Sequence, residues 1–347
     1  MYFMILRRLH LNLMVLCLMT SCFRWRFIMR YNYWGGITVN RFYFTTVVSS
    51  EYLYKMLVMH QTLRHHCTDF TLFILCADDE IYRILQEIKL PDTKLLSVQD
   101  VENDAIRKAK ADRSYLEFCW TLKPVTLNHV MKHYQDADYY AHLDADLCFF
   151  TEPDHIFNEA PEASLYLVEH RYSSRFQNYE NQHGRFNTGF VGCRNTETAK
   201  KAAQWWEERC LERCPEKPDP THKAYGDQWY VERWPELFED VHSINGKGVN
   251  AAAWNIEKYR VSRGNKQVYV DQDQLVFYHF SGFKILEENE FNLSWFYPIK
   301  EDAVNIIYLP YMHLIKENIK KIRRIYPAFQ RGLHERNPAF IVHRYKL

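Results

Sequence analysis

Two runs of β-branched and aromatic residues, RFYFTTVV from Arg41 to Val48 and FTLFILCA from Phe70, flank one helical pattern from Glu51 to about His66. That strand, helix, strand order constrains the chain more than any other feature. Two strands joined through a helix lie parallel, and a parallel sheet needs helices on both faces. A further helix from Asp79 to about Lys89 and a short strand near Leu95 to Val98 extend the alternation, so the front half reads as α/β. Helical patterns then cover Asp100 to Lys110 and Ser114 to His133, the second expected to bend or restart at Pro124. Beyond Pro153 the pattern is mixed. Apolar runs occur at 163–168, 186–191 and 275–280, with helices near 196–213 and 226–238 and no repeat or low-complexity linker.

The chain of 347 residues is long enough for a full core, and its formal net charge of +1 excludes a global attraction to nucleic acid. Nine cysteines without the spacing of a small secreted scaffold fit a reducing cytoplasm. Cys210 and Cys214, with no second ligand pair at zinc spacing, read as buried thiols. The organisation expected is an N-terminal extension over 1–38, one catalytic domain over 39–300 and a basic helical tail over 301–347. In the extension, arginines surround the apolar run Leu11 to Met19, which is too short to span a bilayer and is followed by no cleavage site. It reads as a weak anchor, or as a segment preceding a true start at Met29. The tail carries nine Lys and Arg residues between Lys316 and Lys346 against Glu317 and Glu335. Its helix from Leu309 to Tyr326 either lies on an anionic membrane or caps the sheet with its charged face outward.

The segment YYAHLDADLCFF sets Asp144 and Asp146 two residues apart after an apolar strand. In extended chain both carboxylates face one side and reach one cation. Two like charges held together need such a partner, and hard oxygen ligands suit Mn²⁺ or Mg²⁺ while leaving positions for phosphate oxygens. Alone, the tripeptide is more often a solvated turn. A second apolar run, LVFYHFSGFK, supplies His279 as a third ligand, Gly282 for close backbone approach and Lys284 as a point charge for a diphosphate. Three phosphate-suited features within six positions tilt the balance toward function.

In these residues the sequence resembles the GT-A glycosyltransferases, most nearly the retaining family-eight group and its bacterial relatives. The resemblance runs in motif order from Phe42 to Lys284: FTTVVSSEYL, LDAD, FNTGFVGCRN, GDQ at 226–228, and HFSG. It implies a Rossmann-like α/β fold, a mixed sheet flanked by helices. It implies that Asp144, Asp146 and His279 bind Mn²⁺ or Mg²⁺ on the donor diphosphate, with Gly282 and Lys284 at the phosphates. By the same matching, Asn187, Gly189 and Asp227 hold the donor sugar, Gln228 lies beside the anomeric carbon, Thr45 and Thr46 line the nucleobase pocket, and Lys123 lies near the donor. The family's lysine falls one residue later than Lys284 and is followed by a Pro-Trp pair absent here. Its early acidic base-reading residue is replaced by Val47 and Val48.

The activity implied is transfer of a sugar from a nucleotide-diphosphate donor, a UDP-sugar by resemblance, to a glycan, lipid-linked or protein acceptor with retention of configuration. Such a protein acts in the cytoplasm, peripheral to a membrane if the tail touches one, in making cell-surface glycans. Two other classes compete: a noncatalytic module of the same fold that binds sugar nucleotides or glycans, and an aspartate-dependent phosphohydrolase. The second has Thr or Val where Cys148 stands here and no role for HFSG. Among the tryptophans, Trp254 in VNAAAWN is the one expected to contact sugar.

Overall fold

The structure, a computed structural model, describes residues 40–334 and 342–347. The extension over 1–38 and the reading of Met29 as the start lie outside the described residues.

The alternation of the front half folds as expected. β1 (Phe42–Val48), α1 (Leu53–His66), β2 (Phe70–Cys76), α2 (Asp79–Ile88) and β3 (Thr93–Ser97) form a parallel β-α-β-α-β unit. α3 (Asp104–Asp112) and α4 (Tyr115–His133) lead to β4 (Tyr139–Leu143), which joins β1 in parallel. β5 (Leu147–Phe149), β6 (Leu165–Glu169), β7 (Phe186–Arg194), helix α5 (Glu197–Glu212) and β8 (Val241–Ser243) follow. The seven-stranded sheet has the order β3-β2-β1-β4-β7-β6-β8, with β7 antiparallel to both neighbours. It is a mixed sheet in an α/β fold.

Both faces of the sheet are covered, which is why its strands read as unbroken apolar runs. Phe42, Phe44, Leu72, Ile74, Ala141 and Leu143 enter one core layer, and the intervening Tyr43, Phe73, Leu75 and Tyr140 enter the other. α4 runs unbroken through Pro124. Proline inside a helix costs about 3 kcal/mol through the lost hydrogen bond and the clash of its ring with the preceding turn, but Leu122, Val125, Leu127 and Val130 bury the helix, and that packing holds it together. The helix expected over 226–238 is instead two single turns, α6 (Gln228–Val231) and α7 (Trp234–Leu237).

A second, three-stranded sheet has β10 (Phe277–His279) in its middle, antiparallel to β5 and parallel to β9 (Ala251–Ala252). The last long helix, α8 (Leu309–Ile325), turns Tyr311, Met312, Ile315, Ile319 and Ile322 into the core and leaves Lys320, Lys321 and Arg324 exposed. Among the described residues no helix is long and apolar enough to cross a membrane. The described cysteines are free, and Cys210 and Cys214 are buried.

Candidate metal and donor site

The large and small sheets meet at residues 144–146. The Asp144 N–H donates to the Gly189 carbonyl at 2.8 Å, extending the β4–β7 ladder by one residue. The Leu147 N–H then donates to the Asp144 carbonyl at 3.2 Å and closes a turn, after which β5 pairs with β10 so that Leu147 faces His279. The Phe280 N–H donates to the Asp146 carbonyl at 2.9 Å. The two aspartates therefore converge through a turn, not through the alternation of an extended strand, because the chain must change sheets there. Ligand atoms of Asp144, Asp146 and His279 all lie within 4.8 Å of one another.

The imidazole is aimed from behind. His279 Nδ1 stands 3.2 Å from Asn187 Oδ1, which also accepts from the Gly189 N–H at 3.2 Å, while Asn187 Nδ2 donates to Gln228 Oε1 at 3.1 Å. The network leaves Asn187 Oδ1 only acceptor work, so it places a proton on Nδ1 and turns Nε2 outward. Nε2 faces Asp146 Oδ1 at 3.1 Å and Asp144 Oδ2 at 3.8 Å. Two carboxylates and an imidazole are a donor set for a divalent cation of the Mn²⁺ or Mg²⁺ kind, and these residues fit it.

Trp254 backs this arrangement. Its ring meets that of His279 edge-on at 5.3 Å, its indole N–H donates to the His170 carbonyl at 2.8 Å, and it is 5% exposed. It holds His279 in place, and so little of its surface is open that it is not a platform for a sugar.

Two buried lysines answer the acidic charge. Lys123 on α4 stands 2.8 Å from Asp144 Oδ1 and 3.6 Å from Asp227 Oδ2. Lys55 on α1 stands 3.7 Å from Asp146 Oδ2. Burial alone raises an aspartate, but Lys123 outweighs it and holds Asp144 well below the usual carboxylate range. Asp146 is likewise lowered, burial being outweighed by His279 and Lys55. Burial lowers the Lys123 ammonium in isolation, yet Asp144 and Asp227 hold it above its ordinary value. The Lys55 ammonium is lowered, since burial outweighs Asp146 and nearby Lys284 opposes its charge. Asp227 Oδ2 is buried without a hydrogen-bond partner.

The remaining residues singled out by sequence fall into place as follows. Asn187, Asp227 and Gln228 line one wall, with the Gln228 amide also donating to the His183 carbonyl at 2.5 Å. Gly189 packs against His279: a Cβ there would stand 2.5 Å from its Cε1. Gly282 adopts φ +77°, in the left-handed region, beside Trp295. Lys284 begins the strand Lys284–Glu287 on the side of Lys55. Thr45 and Thr46 are fully buried in β1, and Thr45 Oγ1 lies 3.3 Å from His142 Nδ1. His142 Nε2 in turn stands 3.3 Å from Asp144 Oδ1, with burial lowering its pKa. Sequence reading missed Lys55, His142 and His170. His142 sits two residues before Asp144 on the same strand and was findable by that spacing; Lys55 and His170 carried no such signal.

The family described as nucleotide-diphospho-sugar transferase matches residues 67–228. Uncharacterized protein YfnD of Bacillus subtilis (strain 168) is 45% identical over 295 residues, covering 85% of this chain and 95% of that protein. Uncharacterized protein YfnF of the same organism is 33% identical over 256 residues, covering 71% and 83%. Among solved structures, the galactosyltransferase LgtC in complex with donor and acceptor sugar analogs aligns over 79% of this chain and 95% of its own, with TM-score 0.48 and 12% identity. Mouse xyloside xylosyltransferase 1 aligns over 61% and 87%, with TM-score 0.38 and 13% identity.

Proposed function

The chain belongs to the nucleotide-diphospho-sugar transferase family of GT-A glycosyltransferases, and on that premise we propose that it transfers a hexose from a UDP-sugar to a glycan, lipid-linked or protein acceptor with retention of configuration. One observation carries the metal dependence: ligand atoms of Asp144, Asp146 and His279 all lie within 4.8 Å of one another, with His279 Nε2 turned toward both carboxylates. In this reading Asp144, Asp146 and His279 hold Mn²⁺ or Mg²⁺, which when bound supplies Lewis-acid stabilisation of the departing diphosphate. Lys284, with the backbone at Gly282, sits at the phosphates, and Lys55 adds a second cation on that side. Lys123 holds Asp144 in its charged form and stands 3.6 Å from Asp227. Thr45 and Thr46 line the nucleobase pocket at the end of β1, with Thr45 Oγ1 3.3 Å from His142 Nδ1.

Asn187 and Asp227 bind donor-sugar hydroxyls. Oδ2 of Asp227 has the Lys123 ammonium at 3.6 Å but accepts no hydrogen bond, and a sugar hydroxyl could donate one to it, which supports that role. Gln228 is held between Asn187 Nδ2 and the His183 carbonyl, and an amide orients but accepts no proton. That supports retention, with the leaving phosphate taking the acceptor's proton. A cytoplasmic setting in cell-surface glycan synthesis, and peripheral membrane contact, belong to the same reading; exposed Lys320, Lys321 and Arg324 support the contact.

The test is nucleotide release from a panel of nucleotide sugars with Mn²⁺. Asp146→Asn is expected to lower metal-dependent release by about a hundredfold or more while leaving the circular dichroism unchanged. Equal release by the variant overturns the assignment, and an inverted anomer by NMR overturns retention.

A further inference from the structure

The site described so far stops at Gln228 on one side and Gly282 on the other. Between these points runs a chain of aromatic rings that the donor reading does not use. Trp120 lies 3.2 Å from the place a Cβ would take on Gly226, one residue before Asp227. From there ring follows ring: Trp120 to Tyr225 at 6.5 Å, Tyr225 to His183 at 5.3 Å, His183 to Tyr179 at 5.4 Å, and Tyr179 to Phe296 at 5.8 Å between centroids. Next to Phe296 stands Trp295, whose Cδ1 lies 3.0 Å from the place of a Cβ on Gly282. In the middle, the His183 carbonyl accepts from the Gln228 amide.

These rings differ from those of the core. Trp206 and Trp234 are fully buried, whereas Trp295 is 59% and Phe296 41% exposed, and Trp120, Tyr179, His183 and Tyr225 are half-buried. Leaving large rings in water forgoes about 25 cal/mol for each Å² of apolar surface. Contiguous exposure of this kind marks a surface that is covered when a ligand arrives. Tyr225 stacks on His183 and His183 on Tyr179, each pair at an interplanar angle of 18°, so the pile turns ring edges sideways. Hydroxyl and imidazole groups at the edges, with apolar faces beside them, match a pyranose, which offers hydroxyls around its rim and C–H groups on its faces.

We propose that the aromatic chain from Trp120 to Trp295 is the acceptor subsite and that its ligand is the neutral pyranose end of a glycan. The proposal rests on the sugar-transfer reading. None of the six side chains is cationic, and burial lowers the pKa of His183 so that the imidazole stays neutral; a phosphate- or carboxylate-bearing group finds no counter-charge on these rings. The subsite begins beside Gln228, where the transferred sugar's reacting carbon is assigned, so an acceptor hydroxyl lying along it reaches the reacting centre without crossing the metal.

The experiment uses the full chain with Mn²⁺ and UDP, and maltose, cellobiose and gentiobiose as probes in saturation-transfer NMR. At least one disaccharide is expected to show saturation of its ring C–H protons, and Tyr179→Ala and Phe296→Ala to weaken that binding about tenfold. Both variants are expected to keep wild-type release of nucleotide to water, since neither residue belongs to the donor machinery. No binding of any disaccharide, undiminished binding by both variants, or preferential binding of a polyprenyl phosphate or a peptide overturns the proposal. Failure of the underlying reading is distinguishable: release that ignores Asp146→Asn removes sugar transfer, whereas Asp146-dependent release without disaccharide binding removes only the acceptor subsite.

Discussion

A methyl group on Gly189 would stand 2.5 Å from Cε1 of His279 and 2.8 Å from Asn187 Oδ1, whose contact with Nδ1 sets the imidazole's direction. Gly189→Ala therefore pushes the ring away from Asp146, and circular dichroism checks that the fold is kept. We expect Mn²⁺ affinity, followed by electron paramagnetic resonance, to fall by about tenfold or more, the metal-ligand loss seen when an orienting partner is removed; unchanged affinity counts against the aimed-imidazole argument. His170, 4% exposed and stacked on Tyr172 at 4.8 Å, has its pKa pushed down to about 3 by burial, from an ordinary 6.5. The unfolded chain takes up this proton first, so the contribution of neutral His170 is complete above pH 6.5 and is lost as pH falls from 6.5 toward 3. The slope is at most about 1.4 kcal/mol per pH unit. Urea unfolding at pH 7 and pH 5 measures it, with His170→Phe losing less stability between the two than the wild type; equal losses refute the assignment.

α8 shows how a basic segment serves a core. The net basicity of the last forty residues left two readings open, membrane contact or capping. The helix buries Tyr311, Met312, Ile315, Ile319 and Ile322 against α1, so its apolar face is spent inside the protein and the lysines hold the other side. Ile319→Ala is expected to cost about 2–4 kcal/mol in chemical denaturation, whereas Lys320→Ala stays within about 0.5 kcal/mol. A small Ile319 effect means the helix is loosely docked. α4 carries the same lesson from the opposite direction. A proline that reads as a helix break lies inside a continuous helix because both flanks are buried, and that continuity delivers Lys123 to Asp144.

The assembled site links stability to its ligands. A divalent cation and nucleoside diphosphate that bind only the folded chain raise its stability by about 2.7 kcal/mol at a hundredfold excess over the dissociation constant. Mn²⁺ with UDP is expected to raise the thermal midpoint, EDTA to reverse the rise, and Asp146→Asn to show none; a variant that responds like wild type excludes Asp146 as a ligand. The alternation of RFYFTTVV, a helix and FTLFILCA determined by itself that β1 and β2 lie parallel in a doubly covered sheet, because periodicity and connection length are local properties. LDAD and HFSG likewise announced carboxylates and an imidazole suited to a cation. Sequence could not say that Asp144 and Asp146 meet through a turn between two sheets, that Lys55 faces them, or that Trp254 supports His279 instead of a sugar. Those facts depend on which strand lies beside which, and pairing between residues more than a hundred positions apart is decided only when the whole core closes.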